Sequence, residues 1–138
     1  MTDEVRDALR GGHEASAVRR SVIRRLGSDR MLGLGWPTEY GGGGRPATDQ
    51  FILFDEAQRA HCPMPFVTLN TVGPTLIEFG SDDQKQRFLP GILTGELVFA
   101  IGYSEPSAGT DLASLRTQAA RDGDEWVVNG SKIYTSGA

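Results

Sequence analysis

The sequence predicts an α+β fold: an N-terminal α-helical bundle over 1–96, followed by the first strands of an antiparallel β-domain over 97–138. Three observations carry that prediction. Helix formers with apolar residues at helical spacing dominate as far as Gly95. At Leu97 the period changes, and Leu97-Val98-Phe99-Ala100-Ile101 reads as a buried strand. Beyond it, short strand-like runs are punctuated by Asp122-Gly123 and Asn129-Gly130, two hairpin signals.

Taken in order, residues 3–26 form a frayed or broken helix. Val5, Leu9, Val18, Val22, Ile23 and Leu26 are its apolar positions, Gly11-Gly12 interrupts it, and Gly27 is its stop. Met31 to Pro37 is apolar but glycine-punctuated and reads as an irregular packed connection with Trp36 in the core. The run Gly41-Gly42-Gly43-Gly44 lacks the following Gly-Lys-Ser/Thr and the preceding strand of a phosphate loop, so it reads as a turn before a helix. Thr48 is placed to N-cap that helix, whose apolar face is Phe51, Ile52, Phe54 and Ala57. It ends near His61-Cys62-Pro63, because Pro63 disfavours a helical Cys62. His61 and Cys62 lack the further ligands of a metal site and read as packing residues. Thr68 to Phe79 is a second amphipathic segment, with Val72, Leu76 and Phe79 at helical spacing, Pro74 limiting where it starts and Gly80 as a left-handed cap. Ser81-Asp82-Asp83-Gln84 is a capping box, and Phe88, Leu89 and Ile92 form the buried face of the helix it opens, with Gly95 as the stop. Strands are then expected over Leu115 to Arg121, Glu125 to Asn129 and Lys132 to Ser136. A four-strand sheet ending at Gly137-Ala138 has an unpaired edge, so the natural unit is expected to be longer or to be completed by a partner.

Composition excludes several classes of function. The 138 residues lie within the usual range of one domain, and 14 Lys+Arg against 18 Asp+Glu give a formal net charge of −4, with no basic surplus for nucleic acid. Arg19-Arg20 and Arg24-Arg25 read as a solvated helix face. No apolar stretch approaches the ~18 residues of a membrane span, and the acidic N-terminus is not a secretory signal. One cysteine, Cys62, rules out an internal disulfide and suits a reducing cytoplasm.

The chemistry centres on Tyr103-Ser104-Glu105-Pro106-Ser107-Ala108-Gly109-Thr110-Asp111. A strand that opens into a loop of small hydroxylated residues delivers hydroxyls and backbone N–H groups to a polar ligand; the same pattern also serves as a plain strand exit. Tyr134 and Ser136, two apart on a strand, would share a face and offer an aromatic wall and a hydroxyl. Gly109 would let backbone approach a ligand closely.

This stretch closely resembles the first signature of the acyl-CoA dehydrogenase family of flavoproteins. Ser104, Glu105, Ala108, Gly109, Thr110 and Asp111 satisfy it in order. Gly35-Trp36-Pro37-Thr38-Glu39-Tyr40-Gly41-Gly42 matches the family's inter-helix loop, and Asn129-Gly130-Ser131-Lys132-Ile133-Tyr134-Thr135-Ser136 matches its later flavin-side strand. The resemblance covers most of the chain from Leu32 to Ala138. It implies a truncated acyl-CoA dehydrogenase-like fold whose middle β-domain begins near residue 97.

By the same resemblance FAD is the cofactor, contacted by Ile101, Tyr103, Ser104, Gly109, Thr110, Tyr134, Thr135 and Ser136, with Thr110 also facing the acyl-CoA substrate. Tyr134 stands where relatives often carry Trp, and Tyr103 where they often carry a smaller apolar residue. The implied reaction is α,β-dehydrogenation of an acyl-CoA thioester, fatty or sterol, in lipid metabolism, with an electron-transfer acceptor and a homo- or hetero-oligomeric state. Glu105 is structural in the family, and the proton-abstracting Glu lies in a C-terminal helical domain that no residue here matches. The 138 residues alone are therefore expected to be inactive. Two alternatives share the fold: a non-catalytic, partner-binding subunit or paralogue, and a flavin monooxygenase relative.

Overall fold

The computed structural model describes residues 2–10 and 12–136. The chain divides into two compact units, residues 1–99 and residues 100–138. The first is helical: α1 (Asp3–Ala8), α2 (Gly12–Ser28), α3 (Ala47–Arg59), α4 (Gly73–Phe79) and α5 (Asp82–Leu93). The second, among the described residues, contains an antiparallel hairpin of β1 (Gln118–Asp122) and β2 (Glu125–Asn129). The α+β order holds. Among the described residues, no helix is long and apolar enough to cross a membrane.

The core of the helical unit is built from Ile23, Leu32, Trp36, Leu69, Leu89 and Ile92, with Leu26, Tyr40, Phe54, Leu76, Ile77 and Phe99 packed around it. Ile23 comes from α2, and Leu89 and Ile92 from α5. Leu32 and Trp36 come from the irregular connection, whose indole Nε1 donates to the Leu69 carbonyl at 3.1 Å. The capping box opens α5 as expected. Gln84 N donates to Ser81 Oγ at 3.3 Å, and Ser81 N to Gln84 Oε1 at 2.9 Å. Gly95, at φ 75°, ends the turn after α5.

Several local expectations are corrected by neighbours distant in sequence. Gly27 does not stop α2, which runs on to Ser28. A Cβ at Gly27 would run into the Thr94 backbone, so this glycine serves a close helix–loop approach. α1 ends at Ala8 and α2 begins at Gly12, so the expected interruption is present between them; Gly11 lies outside the described residues. Pro46, not Thr48, occupies the N-cap of α3, and Thr48 sits inside the first turn. Phe51 and Ile52 are exposed, while Phe54 and Ala57 face inward. Gly80 is extended rather than left-handed (φ −69°, ψ 150°), and a Cβ there would lie 2.5 Å from the Leu76 carbonyl oxygen.

The segment Thr68 to Phe79 is not one regular helix. Thr68–Val72 is a π-turn, and α4 starts only at Gly73. Pro74 has no N–H to continue the α-helical ladder, which accounts for the wide turn before it. The extra residue rotates the apolar stripe, so Leu69, Leu76 and Ile77 reach the core and Phe79 is left 81% exposed.

The β-rich part departs furthest. Leu97 to Ile101 is not a buried strand: Leu97 and Val98 are exposed, and Ile101 makes only an isolated bridge to Ser136. The first true strand begins at Gln118, not Leu115, and pairs Gln118 with Asn129 through Asp122 with Glu125. Gly123-Asp124 forms the two-residue loop, with Gly123 at φ 61°. Asn129-Gly130 makes no second hairpin. Gly130 is tightly covered by the Thr117 side chain, and the chain runs on to pair with residues 101–105 instead of folding back on β2. Residues 132–136 are not a regular strand, because Tyr134 adopts φ 53° and breaks the pleat.

Candidate functional site

Two segments of the second unit lie side by side and carry most of the residues singled out in the sequence. Ile101 and Ser136 exchange both backbone hydrogen bonds, at 2.9 and 3.0 Å, and Ile133 N donates to the Ser104 carbonyl at 2.9 Å. Residues 101–105 therefore run antiparallel to 132–136. Ile101, Tyr103 and Ser104 sit on one segment; Tyr134, Thr135 and Ser136 sit on the other. Gly109 and Thr110 lie in the loop that leaves the first.

The arrangement differs from the predicted one in two respects. Tyr134 and Ser136 were expected to share a strand face, but the left-handed Tyr134 removes the alternation and its ring is 88% exposed. Ser104 lies opposite Ile133 and Ser136 opposite Ile101, three register steps apart. The backbone thus joins the two segments without placing the two serine hydroxyls opposite each other.

The donor chemistry of the edge suits a polar ring system. Among the described residues, the hydroxyls of Ser104, Thr110, Thr135 and Ser136 carry no internal hydrogen bond, nor do the N–H groups of Gly109 and Thr110. A Cβ added at Gly109 would meet nothing within 4 Å, so the backbone there is open to a close-lying group.

Beneath this edge is a cluster that sequence reading treated only as structural. The Glu105 side chain is 5% exposed. Its carboxylate accepts from Arg116 N at 2.7 Å, Thr117 N at 2.9 Å and Lys132 Nζ at 2.9 Å. Lys132 Nζ also donates to the Tyr103 carbonyl at 3.1 Å. These donors hold the carboxyl far below its ordinary value of 4.5, at about 2. In order of weight they are the Thr117 hydroxyl, the Arg116 N–H, the Lys132 ammonium and the Thr117 N–H, with burial opposing them. The Thr117 hydroxyl is itself buried without a well-formed hydrogen bond, so the backbone donors and the ammonium are the contacts with defined geometry. Lys132 was visible in the sequence as part of the Asn-Gly-Ser-Lys run. Nothing local showed that it reaches back 27 residues to an acid.

A carboxylate this strongly committed is a poor proton acceptor near neutral pH. Because its folded pKa is depressed, its stabilising effect is complete above about 4.5 and is lost as the pH falls toward 2. The urea midpoint of the second unit, followed by Trp126 fluorescence in a Trp36→Phe background, should fall across that window in the parent. It should fall much less steeply after Glu105→Gln.

The helical unit offers a different picture. The four glycines of residues 41–44 line part of a hollow of about 680 Å³ or lie beside it. Their N–H groups are all spent on the carbonyls of Thr38, Pro37, Gly33 and Trp36, so the run closes its own loop and presents no donors to a phosphate. Cys62 is half-buried, and burial raises its thiol pKa, which disfavours the nucleophilic thiolate.

Comparison with known proteins decides the family. Residues 1–96 match the model of the acyl-CoA dehydrogenase N-terminal domain. The chain belongs to the acyl-CoA dehydrogenase family. It is similar to acyl-CoA dehydrogenase FadE26 of Mycobacterium tuberculosis, at 55% identity over 99% of this chain and 35% of that protein. Among solved structures it resembles the ChsE4-ChsE5 complex from Mycobacterium tuberculosis, at 56% identity and a TM-score of 0.92, covering 99% of this chain and 34% of that one. It also resembles the Tcur3481-Tcur3483 steroid ACAD, at 62% identity and a TM-score of 0.84, covering 92% of this chain and 32% of that one. The chain spans about a third of the length of these acyl-CoA dehydrogenase relatives.

Proposed function

We propose that these residues form the flavin-facing part of an FAD-dependent acyl-CoA dehydrogenase that acts on steroid-derived acyl-CoA thioesters within a hetero-oligomer. The observation that carries this reading is the antiparallel pairing of 101–105 with 132–136. It joins the two motifs that the family resemblance assigns to the flavin, although they are about 30 residues apart in the chain. The steroid class and the hetero-oligomer rest on the similarity to a steroid ACAD and to a two-component complex.

In this reading Ile101, Tyr103, Ser104, Gly109, Thr110, Tyr134, Thr135 and Ser136 hold the FAD. The free hydroxyls and the open backbone at Gly109 would supply hydrogen-bond donors to the polar rim of the ring, and the exposed Tyr134 would supply an aromatic surface. Thr110 also contacts the acyl-CoA. FAD, when bound, supplies the acceptor for the hydride that leaves the β-carbon. Glu105 takes no proton, since its lone pairs are committed to N–H donors. The α-proton is taken by a carboxylate outside these residues, and the electrons pass on to a separate acceptor protein. The single free cysteine suits a reducing compartment, and we place the protein in the cytoplasm.

The test has two parts. The 138-residue polypeptide, assayed with a steroid side-chain acyl-CoA and an artificial electron acceptor, gives no turnover; unsaturated thioester product would overturn that. The assembled enzyme that includes these residues turns over the steroid thioester at a higher kcat/KM than palmitoyl-CoA, and the reverse order would remove the steroid assignment.

A further inference from the structure

We propose that Lys132 and Glu105 are positioning residues that hold the two flavin-facing segments at a fixed spacing; this rests on the flavin reading above. Backbone pairing between the segments is sparse. Among the described residues it consists of the Ile101–Ser136 exchange and the bond from Ile133 N to Ser104, with the left-handed Tyr134 between them. A ladder interrupted in this way does not by itself fix where a side chain next to the break points.

The side-chain cluster supplies what the ladder lacks. Lys132 Nζ bonds the Tyr103 carbonyl at 3.1 Å and the Glu105 carboxylate at 2.9 Å, so the residues on both sides of Ser104 are tied to one ammonium group. The other carboxylate contacts, to Arg116 N and Thr117 N, tie the same loop to the chain just before β1. Lys132 is anchored at the start of the segment that carries Tyr134, Thr135 and Ser136. The pair is an ionic strut: a short, part-buried contact from Lys132 to the buried Glu105 carboxylate that sets the offset between Ser104 and Thr135-Ser136. Charge-assisted bonds to a buried acid are about twice as strong as neutral ones, which suits them to this use.

The experiment compares Lys132→Met, Lys132→Arg and Glu105→Gln with the parent in the full chain, together with its partner chain where it has one. Amide hydrogen exchange reads the strut without any cofactor. Exchange at Ile133 and Ser136 should rise about tenfold or more in Lys132→Met and Glu105→Gln, the scale of losing one charged hydrogen bond, while the β1–β2 hairpin amides stay unchanged. Titration with FAD, followed by quenching of flavin fluorescence and by the shape of its absorption bands, should show affinity weakened by about tenfold in Lys132→Met and largely recovered in Lys132→Arg. Unchanged exchange at Ile133 and Ser136 overturns the proposal. So does an equal rise throughout the hairpin, which is general loss of structure, or selective exchange with unaltered FAD affinity. If the parent takes up no FAD, the flavin reading fails, and the exchange result alone decides whether the strut exists.

Discussion

Replacing Trp36 with Ala should lower the unfolding free energy of the helical unit by about 3–5 kcal/mol, the cost of emptying a large aromatic site in a close-packed core. Trp36 is 3% exposed and lies at the centre of the core cluster. Its indole N–H satisfies the Leu69 carbonyl at 3.1 Å, and Leu69 belongs to the π-turn, so the truncation also leaves that buried oxygen unpaired. The ring has a second effect on the fold. Gly73 lies so close to it that a Cβ at that position would enter the indole. The cavity therefore opens directly against the start of α4, where backbone rather than a flexible side chain faces it. Typical domains are stable by only about 5–15 kcal/mol, so the variant should sit near its unfolding threshold at room temperature. Urea titration by circular dichroism gives the midpoint. Trp36→Phe, which refills most of the volume but has no N–H, should recover more than half of the loss. Trp126→Ala, at an exposed hairpin position, should stay within about 0.5 kcal/mol of the parent. A Trp36→Ala midpoint indistinguishable from that of Trp126→Ala would contradict the central place given to this residue.

What could be read from the sequence depended on how far away the deciding neighbour lay. The capping box at Ser81 and Gln84 was legible because both partners sit within one turn. Leu89 and Ile92 were legible as core because an uninterrupted helix preserves its phase. Phe79 was misjudged for the converse reason: the π-turn at Thr68–Val72 shifts the phase, and nothing local distinguishes it from α-helix except Pro74. Gly27 looked like a helix stop, yet it is small to admit the backbone of Thr94, whereas Gly80 does cap α4 but in an extended rather than left-handed conformation, close against the Leu76 carbonyl. In the second unit, Asn129-Gly130 is a strong hairpin signal that loses to a non-local pairing with residues 101–105. The family motifs nevertheless named both halves of the candidate site, because the residues themselves are short-range patterns. Their mutual placement, and the reach of Lys132 to Glu105, belong to tertiary structure and were not visible.

The same dependence makes Thr68 the second sensitive position, although its hydroxyl carries no functional role here. Thr68 has 0% exposure. Its Oγ1 accepts from Phe99 N at 2.8 Å and donates to the Phe99 carbonyl at 3.3 Å. Among the described residues Phe99 has no strand partner, since the expected strand from Leu97 does not form, and these two bonds stand in for a ladder. The Phe99 ring packs edge-on against Phe88 of α5 at 5.7 Å, so the backbone contact and the aromatic contact hold one residue from two sides. Thr68→Val keeps the shape and removes the hydroxyl, leaving both Phe99 backbone groups without partners. The expected loss is about 1 kcal/mol, the lower end of the range for leaving polar groups unsatisfied, because the Phe99 backbone is only part-buried. Thr68→Ser should restore most of it, losing only the methyl contact. The decisive readout is site-specific: exchange of the Phe99 amide should accelerate in Thr68→Val by at least the factor implied by the global change, and should return toward the parent in Thr68→Ser. If Thr68→Val matched the parent in both urea midpoint and Phe99 exchange, water would be satisfying those groups, and the turn at Thr68 would owe its position to apolar packing around Leu69 alone.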